Sequence, residues 1–577
     1  GFLGVAQVLG ANKRTPVPFQ CSTKEALTYL FKVFPYWLFH SHLQGIVPKL
    51  SDKIALTARV TDFTLGMNFN NIGIGHFIAN YETVLKLGTT GLKKKVEEIR
   101  KSKPENNQDF YEGVLIALQG VEDFGLRYAD LLAQMAEEEK DPERRKELEE
   151  MAAICRHVPK YPARTFHEAL QSVLTFHVAL SLEANENAVS FGRLDQYLYP
   201  YYKKDLEEKR ITYEKARELI CLFILKMEEL VLVNNGESFP ELFKMFETVS
   251  TDQSFTFGGV DKDGNDATND LTYMLLDTCE LRPRSADPSA RVHKNSPPEY
   301  LERIAQIYLK GIPLPQLFND EAYIPALLKH YPTTLENARN YSIVGCVEPC
   351  ASEDHFGNTD CANINLAIPF LQALKGQEHD LWNYDSKKRN LHLITNFLTH
   401  ITRKRGKLGE FVQDRCEKAR KKLEIKRGLH KYNPPSDMNE LLERFQARLN
   451  QLAQAEFAEQ QRMEKEHRTN FQTPLSSALF PGCLERGKDA TEGGTTYNSC
   501  GIQAVGVTDV ADSLHALDEV VFKRKLFSIE EVINAIDNNF EGEHNQKIRE
   551  ALLAVPKFGD DSSKEATEWV NKVMEMY

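Results

Sequence analysis

Residues 341–350 read Tyr341-Ser-Ile-Val-Gly-Cys-Val-Glu-Pro-Cys350, the most unusual segment of the chain. A short apolar strand runs into Gly345, and a thiol and a carboxylate follow at Cys346 and Glu348, two positions apart. Loops at strand ends often carry reactive groups, because a rigid scaffold positions them while the loop gives access. The segment therefore predicts an active-site loop.

Other interpretations of this segment explain less of it. The possible metal ligands are Cys346, Cys350, His355 and Cys361. Their spacing matches no common zinc pattern, so we expect no metal site. A radical S-adenosylmethionine cluster would need a third cysteine where Glu353 stands. A buried structural thiol suits Cys361 but leaves the Glu348-Pro349 pair without a role.

The composition is that of a large globular protein. The 577 residues are 42% hydrophobic and 27% charged, enough for a large core. The net charge of -12 has the wrong sign for nucleic-acid or anionic-membrane binding, so we expect small molecules or proteins as partners. No apolar run approaches the ~20 residues of a membrane span, and residues 1–14 lack a signal-peptide pattern. Ten scattered cysteines indicate reduced thiols and, with the missing signal, a cytoplasmic protein.

Helix and strand signals alternate along much of the chain. Capping boxes predict helix starts at Thr165–Glu168, Ser296–Glu299 and Ser528–Glu531, and the first helix is apolar on enough sides to be central. Strands are predicted at 254–260, 313–318, 342–345 and 503–507. Short strands between helices of 10 to 20 residues are typical of an α/β protein whose sheet or barrel is enclosed by helices.

Several stretches together resemble the glycyl radical enzymes, the superfamily of pyruvate formate-lyase. Gly-Cys-Val-Glu-Pro at 345–349 is similar to the form found in the dehydratase and decarboxylase branches. Family-like stretches also occur, in the family's order, at 75–88, 158–172, 190–202, 257–264, 311–320 and 493–498. The resemblance covers about residues 60 to 540.

The resemblance implies an α/β fold in which two half-barrels form a barrel ringed by helices. We expect residues 1–577 to form one catalytic domain, incomplete at both ends, with the sulfur of Cys346 buried inside the barrel. In the family a stored glycyl radical oxidises this cysteine to a thiyl, which removes a hydrogen atom from substrate. Glu348 matches the family's general acid/base.

The resemblance also suggests substrate-binding residues. Asp360 falls where dehydratases have an aspartate that binds a substrate hydroxyl, and His76 falls where they have a histidine near the leaving group. Dehydratases carry a His-Ser pair where this chain has Asn187 and Ala188, and we expect Asn187 to contact the substrate. That departure argues against glycerol or propanediol as the substrate. It favours a more apolar substrate, such as an arylacetate that loses carbon dioxide.

The sequence departs from the family in two further ways. Val347 replaces the second cysteine of pyruvate formate-lyase itself, which argues against acetyl transfer to coenzyme A. The chain also contains no Arg-Val-x-Gly-Tyr run, the motif that holds the radical. We therefore expect the glycyl radical domain to be absent from these residues and a separate polypeptide or segment to supply it.

Three functions stay open at this point. The first is a dehydratase that cleaves a C–O bond, the second an arylacetate-type decarboxylase, and the third a catalytically silent homologue that acts as a scaffold. For the two enzyme functions, the resemblance implies that the protein is a homodimer and that it acts in anaerobic metabolism. It also implies that this chain binds no cofactor and that a separate radical S-adenosylmethionine activase installs the glycyl radical.

Overall fold

The computed structural model describes residues 21–36, 75–105, 107–184, 188–230, 253–281, 286–351, 354–376, 410–411, 414–415, 418, 433–560 and 563–577. These residues form two compact units. The first holds the described residues up to 360 together with 463–501, and the second holds those of 361–462 and 502–577. Each unit has its own buried apolar core.

The described residues are rich in helix. In the first unit the helices are α1 (Thr23–Thr28), α2 (Tyr81–Ser102), α3 (Gln108–Glu138), α4 (Pro142–His157), α5 (Phe166–Ala184), α6 (Leu194–Tyr197), α7 (Tyr199–Glu207), α8 (Tyr213–Met227), α9 (Asp270–Thr278), α10 (Pro298–Leu309), α11 (Asp320–His330), α12 (Leu335–Arg339), α15 (Pro474–Ala478) and α16 (Cys483–Arg486). Those of the second unit are α13 (Ala367–Lys375), α17 (Val507–Leu517), α18 (Ile529–Asp537), α19 (Glu543–Leu553) and α20 (Lys564–Met576). Helix α14 (Met438–Asn470) has residues in both.

Seven strands lie among the described residues, in three small sheets. They are β1 (Gln253–Gly258), β2 (Ala286–Val292), β3 (Gln316–Asn319), β4 (Ser342–Val344), β5 (Glu348–Cys350), β6 (His355–Asn365) and β7 (Tyr497–Val505). Strands β1, β2 and β3 form a parallel sheet in that order, β4 pairs with β5, and β6 pairs with β7.

The parallel sheet extends beyond its three strands. A parallel bridge joins Arg193 to Thr256 of β1, and another joins Ile78 to Ser190. Five segments therefore run side by side in the order 78, 190–193, β1, β2 and β3. We call them the parallel array. Helices α9 and α10 make the crossovers from β1 to β2 and from β2 to β3, as parallel connections require.

Most sequence predictions of local structure match the described residues. The hydroxyl of Thr165 accepts the N–H of Glu168, so α5 begins as predicted, and its Phe166, Val173 and Phe176 are fully buried. The capping box at Ser528 is present. The one at Ser296 is wrong: the helix starts at Pro298, and the Ser296 hydroxyl accepts the N–H of His293 instead of capping it.

Strand bounds were predicted less well than helix starts. Strands β1 and β4 lie at their predicted places, β3 is shorter than predicted, and β7 starts six residues before residue 503. Strands β2, β5 and β6 were missed. No disulfide joins any two of the nine cysteines that the structure describes. None of the described helices is both long and apolar enough to cross a membrane.

Candidate active site

The predicted active-site loop is the turn of a β-hairpin. Val344 of β4 lies opposite Glu348 of β5, and residues 345–347 connect them. Gly345 has a φ of +57°, in the left-handed region that side chains disfavour. The turn is therefore built around a glycine.

Cys346 lies at the tip of this hairpin and is exposed, beside Val347, whose side chain is 47% exposed. The expectation of a buried sulfur is wrong for this structure. The turn extends beyond the last cross-strand pair, so the packing that buries Val344 and Glu348 does not reach the thiol.

Glu348 and His76 meet at the turn. A Cβ on Gly345 would stand 2.6 Å from Nε2 of His76 and 2.8 Å from a carboxylate oxygen of Glu348. An imidazole and a carboxylate therefore flank the residue that precedes Cys346, and any larger side chain at 345 would clash with both. The same carboxylate oxygen accepts the N–H of Val347 at 2.9 Å, which ties it to the turn.

His76 is held as a neutral imidazole. Its side chain is almost fully buried, and this burial lowers its pKa to about 4. Its backbone has a φ of +59°, which is uncommon for a residue with a side chain and is often found at functional positions. The hydroxyl of Thr359, on β6, donates to its carbonyl at 3.5 Å. At neutral pH the ring can donate one proton and accept another.

The base of the hairpin rests on a buried ion pair. The guanidinium of Arg291, fully buried on β2, binds both carboxylate oxygens of Asp320 at 2.8 and 2.9 Å. It also donates to the carbonyls of Arg339 and Tyr341, directly before β4. The Tyr341 ring stacks on Arg291 at 3.9 Å, and its hydroxyl donates to Asp320. A charge buried this deeply is stable only with such complete pairing.

A second network follows β5. The sulfur of Cys350 lies 3.2 Å from Nδ1 of His355, and Nε2 of His355 contacts the hydroxyl of Ser499 on β7. Burial, with a smaller contribution from the charge of Glu348, raises the pKa of the Cys350 thiol. Burial lowers that of His355 to about 4. Cys350 is thus a neutral thiol that ties the hairpin to β6 and β7.

The side chains of the other two predicted site residues, Asp360 and Asn187, lie outside the described set. The backbone of Asp360 belongs to β6, next to Thr359, and its side chain lies outside the described set. Asn187 lies outside the described residues, while its neighbour Ala188 is fully buried. The structure therefore brings His76 and Glu348 together beside Cys346, and the roles of Asp360 and Asn187 stay predictions.

One group with metal-ligand geometry occurs among the described residues, in the second unit. It consists of His515, Glu519 and Glu565, whose ligand atoms lie within 4.8 Å of one another. Lys523 and Arg524 already bind Glu519, at 2.8 and 3.2 Å. The group is explained by these ion pairs.

Sequence reasoning missed the residues that hold the hairpin in place. Arg291 and Asp320 are 29 positions apart and reveal no pairing in the sequence. Ser254 and Thr256 carry hydroxyls at alternate positions of an apolar strand, and that alternation is a usable signal, because alternate residues share one face of a strand. For Ser190 the only sequence signal was its place in the family-like stretch 190–202.

Comparison with known proteins identifies the fold. The family model "Pyruvate formate lyase-like" matches residues 5–396 and 413–577. The crystal structure of a glycyl radical enzyme from Archaeoglobus fulgidus superposes with a TM-score of 0.82 at 29% identity, over 100% of this chain and 68% of that one. This likeness confirms the predicted α/β fold class of the pyruvate formate-lyase type.

Two curated relatives indicate the range of chemistry. A (2S)-3-sulfopropanediol dehydratase of Klebsiella oxytoca is 28% identical over 85% of this chain and 55% of its own length. An isethionate sulfite-lyase of Nitratidesulfovibrio vulgaris is also 28% identical, over 97% of this chain and 64% of its own length. The chain thus spans less than two thirds of the length of either relative.

Proposed function

Because this chain belongs to the pyruvate formate lyase-like family, we propose that Cys346 and Glu348 are the catalytic residues of a glycyl radical lyase. The reaction is the dehydration of a small molecule that carries hydroxyl groups on neighbouring carbons. The similarity to a dehydratase supports C–O cleavage, and the similarity to a sulfite-lyase supports a lyase in the broader sense.

The proposed reaction begins with the thiyl of Cys346 and ends by restoring it. The Cys346 thiyl takes a hydrogen atom from a carbon that bears a hydroxyl, so an S–H bond forms and the substrate becomes a carbon radical. The carboxylate of Glu348 takes the proton of that hydroxyl while the neighbouring C–O bond breaks. The same proton converts the departing hydroxide to water. The product radical then takes the hydrogen atom back from Cys346, which restores the thiyl.

The observation that carries this proposal is the meeting of three groups at the hairpin turn. The imidazole of His76 and the carboxylate of Glu348 both lie within 2.8 Å of the Cβ position of Gly345, one residue before the thiol. An acid/base pair beside a thiol is what dehydration needs, because radical formation and proton transfer occur on adjacent substrate atoms. His76, neutral at working pH, suits a position beside the leaving hydroxyl.

The proposal requires a radical glycine and an activase. The test combines this chain, anaerobically, with a polypeptide or segment that carries the glycine motif, a radical S-adenosylmethionine activase and S-adenosylmethionine. A glycyl radical doublet by electron paramagnetic resonance is expected in the combined protein and not in this chain alone. Conversion of a 1,2-diol to an aldehyde by the activated protein supports the dehydratase. Absence of any product from an activated protein contradicts it and favours the scaffold.

A decarboxylase is the second candidate. Ala188 is fully buried where the resembling dehydratases have a serine, so one hydroxyl-binding group is lost. A less polar substrate, such as a hydroxylated arylacetate, suits that change. If the activated protein releases carbon dioxide from an arylacetate and does not convert a diol, it is a decarboxylase and not a dehydratase.

A further inference from the structure

Strand β4, which leads to the turn with Cys346, is held on one side by side-chain hydroxyls. The hydroxyls of Ser190 and Ser254 donate to the carbonyl of Ile343, at 2.7 and 3.0 Å. The N–H of Ile343 donates to the hydroxyl of Thr256, at 3.0 Å. All four residues are fully buried. We call Ser190, Ser254 and Thr256 the hydroxyl cradle.

The cradle replaces the neighbouring strand that a buried strand ordinarily needs. Buried backbone groups must find partners, since an unpaired one costs much of the energy of a hydrogen bond. On its other side, β4 pairs with β5. The carbonyl of Ile343 has two donors and its N–H has one acceptor, so both groups are satisfied without another strand.

The cradle belongs to the parallel array. Ser254 and Thr256 project from the same face of β1, and Ser190 lies on the neighbouring segment. The backbone N–H of Ser190 also donates to the carbonyl of Phe77, at 2.9 Å. One residue thus holds β4 through its side chain and the segment after His76 through its backbone.

We propose that the hydroxyl cradle sets the position of Cys346 and Glu348 relative to His76. Ile343 precedes Cys346 by three residues and Glu348 by five, so its anchoring determines where the turn meets the imidazole. The three cradle residues are positioning residues and touch no reacting atom. The catalytic part of this inference rests on the proposed function, while the structural part does not.

Ser289 provides a matched control. It lies on β2 directly opposite Thr256, is fully buried, and its hydroxyl has no hydrogen-bond partner among the residues that the structure describes. Ser289→Ala therefore removes a buried hydroxyl from the same sheet without removing a bond to the hairpin. Its amide exchange and its turnover are expected to match those of wild type.

The first measurement is hydrogen–deuterium exchange of the peptide 341–351 in this chain. Ser190→Ala with Ser254→Ala removes both donors to one carbonyl and is expected to speed hairpin exchange about tenfold. Each single change leaves one donor, so each effect is much smaller and the two are not additive. Unchanged exchange in the double variant overturns the cradle.

The second measurement separates hydrogen bonding from packing at Thr256. Thr256→Val keeps the shape and loses the oxygen, whereas Thr256→Ser keeps the oxygen and loses a methyl group. In the activated complete protein, kcat is expected to fall about tenfold in Thr256→Val, with KM little changed, and to be retained in Thr256→Ser. If Val retains kcat and Ser loses it, packing alone matters and the proposal is wrong.

The two measurements fail in distinguishable ways. If the wild-type protein, activated and supplied with diols and arylacetates, forms no product, the proposed function fails while the exchange result stands. If the double variant does not fold, Thr256→Val decides the exchange experiment by itself, with the same tenfold expectation. Equal exchange in Thr256→Val and wild type would then reject the cradle.

Discussion

The two ends of the β4–β5 hairpin are held very differently. At its base Ser342, Ile343 and Cys350 are at most 1% exposed, and the flanking Tyr341 is bound by a buried ion pair. At its tip Cys346 and Val347 are exposed. Because the base is buried and the tip is exposed, the base supplies the rigidity of the hairpin, which the proposed role of Cys346 requires.

Burial also sets protonation states at the base. At the base, burial keeps the thiol of Cys350 and the imidazole of His355 neutral, since it raises the pKa of the former and lowers that of the latter. At the turn, the buried carboxylate of Glu348 keeps a backbone N–H as a partner. In the proposed mechanism, chemistry and support are thereby divided between Cys346 and Cys350, which are only four positions apart.

The largest expected effect is on thiol reactivity. Under native conditions Cys346 is expected to react with iodoacetamide at least about a thousandfold faster than Cys350, because Cys350 becomes accessible only when the hairpin opens. Peptide-resolved mass spectrometry measures both rates, with the exposed Cys500 as reference. Similar rates at the two thiols would remove the distinction between tip and base.

Glu348→Gln is expected to lower kcat of the activated protein by about 10²- to 10⁴-fold with little change in KM, since the amide cannot take the substrate proton. Steady-state kinetics on the accepted substrate measures both constants. Glu336, exposed on α12 shortly before the hairpin, gives the control variant Glu336→Gln. A larger effect on KM than on kcat would make Glu348 a binding residue instead.

Asp320→Ala leaves the fully buried guanidinium of Arg291 without its carboxylate and is expected to cost about 3 to 5 kcal/mol of unfolding free energy. Denaturant unfolding measures the loss. The exposed pair of Arg144 and Glu147 on α4 provides the control, and Glu147→Ala is expected to be nearly neutral. Equal effects of the two substitutions would mean that the ion pair at the base does not anchor the hairpin.

The smallest expected effect is the pH dependence due to His355. Its folded pKa is about 4, and an unfolded imidazole titrates near 6.5, so the unfolded chain binds more protons between these values. Stability is therefore lost as the pH falls through this window, by about 2 kcal/mol from pH 6.5 to 5 for one histidine.

The variant His355→Gln isolates this contribution. It lacks the titrating ring, so its unfolding free energy should decrease less between pH 6.5 and 5 than that of wild type. Glu183, whose pKa burial raises to about 7, changes in the opposite direction in both proteins and cancels. Parallel pH profiles for the two proteins would show that His355 is not held neutral at the base.

The sequence predicted those features that rest on local patterns. The segment 341–350 predicted a loop after Gly345, and the structure confirms a hairpin turn there, while the catalytic roles of Cys346 and Glu348 stay predictions. Caps such as Ser528 fix helix starts within four residues, so they are visible locally. The fold class was implied by the resemblance to the glycyl radical enzymes, which covers about residues 60 to 540.

The features that could not be predicted depend on residues that are far apart in the sequence. Strand β2 reads Ala-Asp-Pro-Ser-Ala-Arg-Val, with a proline and charges that central strands avoid. It is a buried strand because Asp320 neutralises Arg291 from 29 residues away. The exposure of Cys346 could not be predicted either, because it depends on how far the turn extends beyond the pair of Val344 and Glu348.

The proposed mechanism requires the thiyl radical of Cys346 to remove the hydrogen atom from substrate. It is tested most directly by Cys346→Ser in the complete, anaerobically activated protein, with the glycyl radical quantified by electron paramagnetic resonance before substrate is added. Cys346→Ser is expected to have a radical content like that of wild type and to form no product, because the O–H bond of serine is too strong for the hydrogen transfer. Product formation at the wild-type rate would show that hydrogen abstraction does not need Cys346.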